Sequence, residues 1–226
     1  GGGEPTVNRS WLINPGIEIP QEATDIHGVT NEQAREGQDA REAVAEITEL
    51  LAEATSQGSA LVAFNARFDI SILDREAKRH GIEPLSEEAL QHVVDPYVLD
   101  QELVPKVKGS GQRKLVATCE RYNIPFDESA AHDADVDSLM AARLAYRMCR
   151  RRPDLLDLPL PELAKKQEEW ARQQAESLQE FFDSVGKEAN VIPEWPLVPE
   201  REEQLELDIE KEKTPIAAPE NAIQGS

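Results

Sequence analysis

Ala131-His132-Asp133-Ala134-Asp135-Val136-Asp137 is the stretch that decides our interpretation of the fold. It directly precedes a segment whose apolar residues recur with the period of a helix. Asp133 is expected to cap that helix, so His132 lies on the preceding loop and Asp137 projects from the first turns. Acidic residues often only stabilise a helix N-terminus through its dipole. A histidine and a carboxylate that face one cleft would instead suit the metal-assisted attack of water.

A second acidic position, Asp69, follows an apolar run at residues 60–64 that predicts a short buried strand. The chain turns at Asn65 into a helix that is predicted to continue to His80. Residues 92–95 predict another buried strand. Strands that alternate with helices indicate an α/β fold. Ligands usually bind at the carboxyl ends of the strands in such folds, where Asp69 is expected to lie.

The residues ahead of Asp69 predict one more strand and one long helix. Val7, Trp11, Leu12 and Ile13 are typical of a strand, which we place at residues 6–13. Residues 17–29 are interpreted as a connection. Thr30 with Gln33, and Asp39 with Glu42, fit capping boxes at two helix starts. Apolar residues at three- and four-residue steps then predict an amphipathic helix over residues 40–54.

Four segments, whose order along the chain agrees with that of the family, resemble the DnaQ-like (DEDDh) 3′–5′ exonucleases, which include epsilon proofreading subunits. Residues 65–73, Asn-Ala-Arg-Phe-Asp-Ile-Ser-Ile-Leu, resemble the second motif of the family. Residues 132–137 resemble its third motif, a histidine and an aspartate with four residues between them. Residues 26–30 and 93–95 are similar to two further family segments. The resemblance covers roughly residues 6 to 150.

The resemblance implies an RNase H-like α/β fold, a mixed sheet with flanking helices. It also implies hydrolysis of the phosphodiester bonds of DNA or RNA from a 3′ end, in proofreading or repair. Members of the family use two divalent ions, Mg²⁺ or Mn²⁺. Carried over to this sequence, Asp69 and Asp137 are metal ligands and His132 is the general base. The implied partners are nucleic acid with a free 3′ end and a DNA polymerase.

Three more residues of the matched segments are candidates for substrate binding. By resemblance, Asn65 and Phe68 would line the terminal nucleotide, and His27 would lie near its base or sugar. Each of the last two has a structural alternative. Phe68 is equally compatible with an aromatic residue of the core. His27 is also compatible with a structural histidine whose hydrogen bonds are satisfied within a turn.

The first motif of the family, an Asp-x-Glu pair on the first strand, is absent ahead of Asp69. We therefore expect that the first two strands of the fold are lacking, with Gly1-Gly2-Gly3 as the turn that followed them. Two of four metal-binding carboxylates would then be missing. We expect this chain by itself to be inactive or nearly so. The alternative is a non-catalytic nuclease-like module that binds a polymerase or nucleic acid.

The composition limits how the chain can meet nucleic acid. The 24 Lys and Arg against 44 Asp and Glu give a net charge of 24 − 44 = −20, which excludes general coating of phosphates. Residues 106–114 hold four basic residues and no acid, in a glycine-containing loop. This loop is interpreted either as a contact for phosphates or as a solvated connection.

Residues 1–153 are predicted to form the exonuclease domain, residues 154–198 a helical extension and residues 199–226 a disordered acidic tail. The extension contains a predicted helix over residues 161–185, and Trp195-Pro196-Leu197 is interpreted as its anchor. The apolar residues of this helix recur as a packing seam, formed by Ala171, Ala175, Leu178, Phe182 and Val185.

The two cysteines, Cys119 and Cys149, have neither zinc nor redox spacing and are predicted to be reduced, partly buried thiols. The four histidines show no zinc-ligand spacing either, which argues against a zinc enzyme. No apolar run reaches the length of a membrane span. We therefore expect a cytoplasmic protein without a membrane partner.

Overall fold

The computed structural model describes residues 8–125 and 134–200. The strands are β1 (Ile13–Asn14), β2 (Gln38–Asp39), β3 (Leu61–Val62) and β4 (Val93–Val94). The helices are α1 (Gln21–His27), α2 (Asn31–Arg35), α3 (Ala40–Ser56), α4 (Ala66–Arg79), α5 (Glu87–Leu90), α6 (Pro96–Leu103), α7 (Leu115–Arg121), α8 (Ala134–Arg151), α9 (Pro153–Leu156) and α10 (Leu160–Ser184).

The strands form two separate parallel pairs in the described part of the chain. β1 pairs with β2, and β3 pairs with β4 with Leu61 opposite Val93. Each strand is two residues long. The predicted alternation of strands and helices is therefore present, but the single mixed sheet is not seen among the described residues.

The strand predicted at residues 6–13 is much shorter than expected. Its first two residues lie outside the described part, and β1 covers only Ile13 and Asn14. The N–H of Gln38 donates to the carbonyl of Leu12 at 2.7 Å, and β2 itself is only two residues long. A strand extends only as far as a partner supplies hydrogen bonds, so the apolar pattern of residues 6–13 overstated its length.

The connection predicted at residues 17–29 contains a helix, α1. Pro20 starts it, because its carbonyl accepts the N–H groups of Ala23 and Thr24 at 3.0 and 3.1 Å. Gly28 ends it in the left-handed conformation, with φ of 74°. No residue of α1 is buried, so the sequence has no apolar periodicity there that could have revealed the helix.

Side chains cap the starts of four described helices, α2, α3, α5 and α6. Thr30 and Gln33 form the predicted reciprocal capping box of α2, and the Asp39 carboxylate accepts the N–H groups of Arg41 and Glu42 at the start of α3. α3 covers the predicted residues 40–54 and two more. α4 ends after Arg79 and is followed by Gly81 at φ of 66°, close to the predicted end at His80.

Two clusters of buried side chains form the core. One joins α6, α7, α8 and α9 and is built around residues such as Leu99, Tyr122 and Leu144. The other joins β3, β4, α4 and α10 and includes Ile70 and Trp195. α10 and Trp195 therefore pack directly on the β3–β4 pair. The division of the chain at residue 153 stays a prediction.

The predicted seam of α10 is used only in its first half. Ala171 and Ala175 are buried against the core, whereas Leu178 and Val185 are 44% and 58% exposed. The predicted acidic tail beyond Glu200 lies outside the described residues. In the part that the structure describes, no helix is long and apolar enough to cross a membrane.

Both cysteines are buried free thiols, as predicted. Burial raises the pKa of the Cys119 thiol to about 11, with a smaller contribution from the charge of Asp137. Burial also raises the pKa of Cys149. Neither thiol is a reactive thiolate at neutral pH.

Candidate active site

The turn between β3 and α4 carries the first group of candidate residues. Asn65 adopts the left-handed conformation, with φ of 66° and ψ of 49°, which asparagine tolerates better than most residues. The N–H groups of Asn65 and Ala66 donate to the two carboxylate oxygens of Asp95 at 2.9 and 3.0 Å. This carboxylate therefore fixes the direction in which α4 leaves the strand.

Asp95 binds more than this turn. It follows β4, is 1% exposed, and also accepts the N–H of Tyr97 at 2.9 Å and the indole N–H of Trp195 at 3.1 Å. Four donors thus converge on one buried carboxylate. Burial raises the pKa of Asp95 to about 6, although the hydrogen bonds from Trp195 and the backbone oppose the shift.

Gln167 of α10 completes the support of β4. Its side chain is fully buried, donates from Nε2 to the carbonyl of Val93 at 3.0 Å, and accepts the N–H of Asp95 through Oε1 at 2.7 Å. The side-chain amide therefore takes the place that the backbone of a neighbouring strand would have along β4. Hydrogen-bonding groups at a strand edge need such a partner when they are buried.

A strap of residues 191–198, which we call the C-terminal strap, holds the start of α4 from outside. Arg67 donates to the carbonyl of Ile192, and the N–H of Val198 donates to the hydroxyl of Ser71 at 3.0 Å. Burial lowers the pKa of Arg67, and the charges of Asp95 and Glu194 oppose that shift. The strap and α10 thus reach the same turn that presents the candidate residues.

Asp69 and Phe68 lie in the first turn of α4. Phe68 is 63% exposed, so it is not a core aromatic, and that alternative is excluded. Asp69 is also exposed, but the protein around its carboxyl removes enough water to raise its pKa, against a backbone hydrogen bond that lowers it. Asn65 is exposed beside them. All three side chains are accessible from solvent at one strand end.

The second group of candidates lies at the start of α8. Asp137 is half-buried in the first turn, and α8 packs against β3. Asp135 accepts hydrogen bonds from Ser10 and, at 3.2 Å, from Asn8, so it fastens the segment ahead of β1 to this helix. His132, and Asp133 as the predicted cap, lie outside the described residues.

His27 occupies the C-terminal end of α1 and is exposed. Its Nδ1 accepts the N–H of Val29 at 3.1 Å, across the turn at Gly28. The structure therefore gives His27 the local turn bond that was its structural alternative. A contact with the base or sugar of a nucleotide stays a prediction.

The described residues supply two candidate carboxylates but not a complete metal centre. Among residues 8–125 and 134–200, no three His, Cys, Asp or Glu side chains come together as a group that could hold a metal ion. Asp69 and Asp137 lie on different helices, α4 and α8. Any centre built on them needs donors beyond these two.

Sequence reasoning identified the turn and the acidic residues but missed Gln167 and the role of Asp95 as a fourfold acceptor. The signal for Gln167 was present. It is a polar residue on the buried face of α10, three residues after Ala164 and four before Ala171, both of which are buried. No comparable local signal pairs Trp195 with Asp95, since 100 residues separate them.

The turn after β3 and the start of α8 thus both carry acidic residues, and α8 packs against β3. The chain belongs to the exonuclease family RNase_T, whose sequence model matches residues 4–145. The predicted resemblance to DnaQ-like 3′–5′ exonucleases is confirmed at the level of the family. Membership implies the RNase H-like α/β fold.

Among curated proteins, the chain is similar to DNA polymerase III proteins. It is 29% identical over 135 residues to the DNA polymerase III PolC-type of Streptococcus sanguinis, and 25% identical over 152 residues to the DNA polymerase III subunit epsilon of Pasteurella multocida. The alignments cover 60% and 67% of this chain, but only 8% and 56% of those relatives. No solved structure shows a significant match.

Proposed function

We propose that this chain is the nuclease domain of a metal-dependent 3′–5′ exonuclease that acts on DNA in proofreading or repair. The observation that carries the proposal is the exposed Asn65–Asp69 turn, held by buried Asp95 at a strand end within the family match. DNA is favoured over RNA because the similar proteins are named as DNA polymerase III components. A DNA polymerase is the corresponding proposed partner.

In this proposal Asp69 and Asp137 hold two divalent ions, Mg²⁺ or Mn²⁺, as the resemblance to the family implies. Carboxylate oxygens are the ligands that these ions prefer, and an exposed carboxylate at a strand end can accept one without rearranging the core. Bound ions would supply an activated water and would stabilise the leaving oxygen.

The remaining roles belong to side chains of this chain. His132 takes the proton of the attacking water, since a neutral imidazole suits the work of a general base. Phe68 offers an exposed ring on which the terminal base can stack, an interaction worth about 1–3 kcal/mol per base. Asn65, in the turn ahead of α4, and His27, at the end of α1, contact the same nucleotide.

The activity is proposed to need a further carboxylate pair. The 226 residues contain no Asp-x-Glu ahead of Asp69, and the described residues hold no group of three metal-binding side chains. Fewer carboxylates bind a dication more weakly. We therefore propose that these residues alone bind the ions weakly and hydrolyse DNA slowly.

The test is the shortening of 5′-labelled single-stranded DNA by the 226-residue chain in Mg²⁺ or Mn²⁺. We expect slow, metal-dependent loss of nucleotides from the 3′ end, faster when a strand with Asp-x-Glu is joined ahead of Gly1. A substrate with a blocked 3′ terminus is the control and should stay intact. Internal cutting, removal from the 5′ end, or shortening that persists in EDTA would contradict the proposal. Fast trimming by the 226 residues would contradict only the proposed need for more carboxylates.

A second candidate function is a non-catalytic nuclease-like module that binds a polymerase or nucleic acid. It is favoured by the exposed apolar end of α10, where Leu178, Phe181 and Val185 are 44%, 56% and 58% exposed. Metal-independent binding without any loss of nucleotides, even with the added Asp-x-Glu strand, would support this function over hydrolysis.

A further inference from the structure

Residues 104–114, which we call the basic loop, connect α6 to α7 and are closed at their base by a buried ion cluster. Asp100 of α6 is 1% exposed and accepts from Arg113 at 2.6 Å and from Arg121 at 2.7 Å. Arg113 also donates to the carbonyl of Val104 at 2.7 Å, and Arg121 donates to the carbonyl of Gln112. The two guanidinium groups therefore tie both ends of the loop to one carboxylate.

Between these ties the loop makes two turns that glycine permits. Gly109 and Gly111 have φ of 109° and 76°, and a Cβ at Gly109 would meet Cγ of Gln112 at 3.1 Å. The N–H of Lys114 donates to the carbonyl of Gly111 at 2.9 Å. A loop that is closed at its base and turned internally holds its side chains in a limited region.

That region is cationic in an acidic protein. Lys106, Lys108 and Lys114 are exposed and form no ion pair with any residue of the described chain. The arginines, by contrast, point inward to Asp100. The division of roles leaves three lysines free for an external anion, while the chain as a whole carries a charge of −20.

The basic loop also lies within reach of the candidate site. α6 begins next to Asp95, which binds the N–H of Asn65, and ends next to Val104 at the base of the loop. Eight helical residues span about 12 Å. At the 3.4 Å per phosphate of one duplex strand this is about three or four phosphates, and fewer in an extended strand.

We propose that the basic loop binds the phosphate backbone of single-stranded nucleic acid, through Lys106, Lys108 and Lys114, upstream of the 3′-terminal nucleotide. The inference rests on the proposed function, because it assigns the substrate path of that site. Lysine contacts to phosphates carry no sequence information, so the loop contributes affinity and register but not base preference. The acidic remainder of the surface would keep the strand on this one path.

The experiment measures binding of a 5′-labelled oligothymidylate by the 226-residue chain in EDTA, between about 50 and 200 mM salt. The test variant is Lys106→Gln/Lys108→Gln/Lys114→Gln. Each lysine that contacts a single strand adds about 0.7 to the slope of log affinity against log salt, so the slope should fall by about 2. The ratio of parent affinity to variant affinity should therefore be roughly 20-fold smaller at the higher salt concentration than at the lower one.

Two matched variants separate local contact from net charge. Lys165→Gln/Lys166→Gln/Lys187→Gln removes three exposed lysines from α10 and the residues after it, and should keep the parent slope. The arginine triple Lys106→Arg/Lys108→Arg/Lys114→Arg keeps the charge of the loop, so it should also keep the parent slope. Melting curves check that every variant is folded.

An unchanged slope in the glutamine triple of the basic loop would overturn the inference, as would an equal loss in the α10 control. Absence of any binding by the parent chain would overturn it as well. None of these outcomes bears on nucleotide release from the 3′ end, which tests the proposed function separately.

Discussion

Replacement of Asp95 by alanine should lower the free energy of unfolding by about 3–5 kcal/mol. The substitution leaves the N–H groups of Asn65, Ala66 and Tyr97 and the indole N–H of Trp195 without their acceptor. A buried donor that loses its partner costs about 1–3 kcal/mol. The expected total is below four times that value because donors near the exposed Asn65 turn can regain water.

Urea denaturation at neutral pH measures this loss, and two variants grade it. Trp195→Phe keeps an aromatic ring in place but removes one donor, so it should cost about 1–3 kcal/mol. Asp157→Ala removes an exposed carboxylate at the end of α9 and should change stability by less than about 0.5 kcal/mol. An Asp95→Ala loss no larger than that of Asp157→Ala would show that Asp95 does not hold the turn.

The stability difference between the parent chain and Asp95→Ala should depend on pH. The pKa of Asp95 rises from its ordinary 3.8 to about 6 in the folded chain, so the folded state binds the proton more tightly than the unfolded state. Its contribution to stability is therefore complete below pH 3.8 and declines as the pH rises to about 6. The stability difference between the parent and Asp95→Ala should be about 2–3 kcal/mol larger at pH 4 than at pH 7. A difference that grows with pH would contradict the raised pKa.

Replacement of His132 by alanine should slow nucleotide release by about 10²–10⁴-fold, the usual contribution of a positioned general base. The measurement requires a polypeptide with an Asp-x-Glu strand joined ahead of Gly1, where release is fast enough to follow. Folding stability should change little, because the proposed role of His132 is proton transfer.

His92→Ala provides the matched control, since His92 bonds the carbonyl of Ser59 at 3.0 Å and has no proposed catalytic role. It should release nucleotides at nearly the parent rate. A further check is the pH profile, because loss of the base should remove the rise in rate near the pKa of the imidazole. Near-normal release by His132→Ala would remove this residue from the proposed mechanism.

Local sequence signals predicted the elements that local interactions define. Thr30 with Gln33, and Asp39 at the start of α3, cap helices within a few residues of themselves. The apolar periodicity of α3 likewise lies within one segment. The same kind of local signal gave the wrong length for the strand at residues 6–13. The length of a strand depends on its partner, and the partner strand β2 begins at Gln38, 24 residues after Asn14.

In the candidate site, too, residues of one short segment were predictable from the sequence and their distant supporting residues were not. Asn65, Phe68 and Asp69 form one short segment, and their motif could be recognised from the sequence. Their support could not, because Asp95 lies 30 residues from Asn65 and 100 residues from Trp195. The amide of Gln167 reaches Asp95 over 72 residues. Such contacts arise only when the packing of α10 on β4 brings them together.

The most direct test of the proposed divalent metal site at Asp69 and Asp137 is the melting temperature of the 226-residue chain during a Mn²⁺ titration. An ion that binds only the folded state raises the melting temperature by mass action. We predict a rise in melting temperature at high Mn²⁺ concentration. Asp69→Asn and Asp137→Asn should each abolish this rise, and Asp157→Asn should retain it. No rise, or an equal rise in all four proteins, would contradict it.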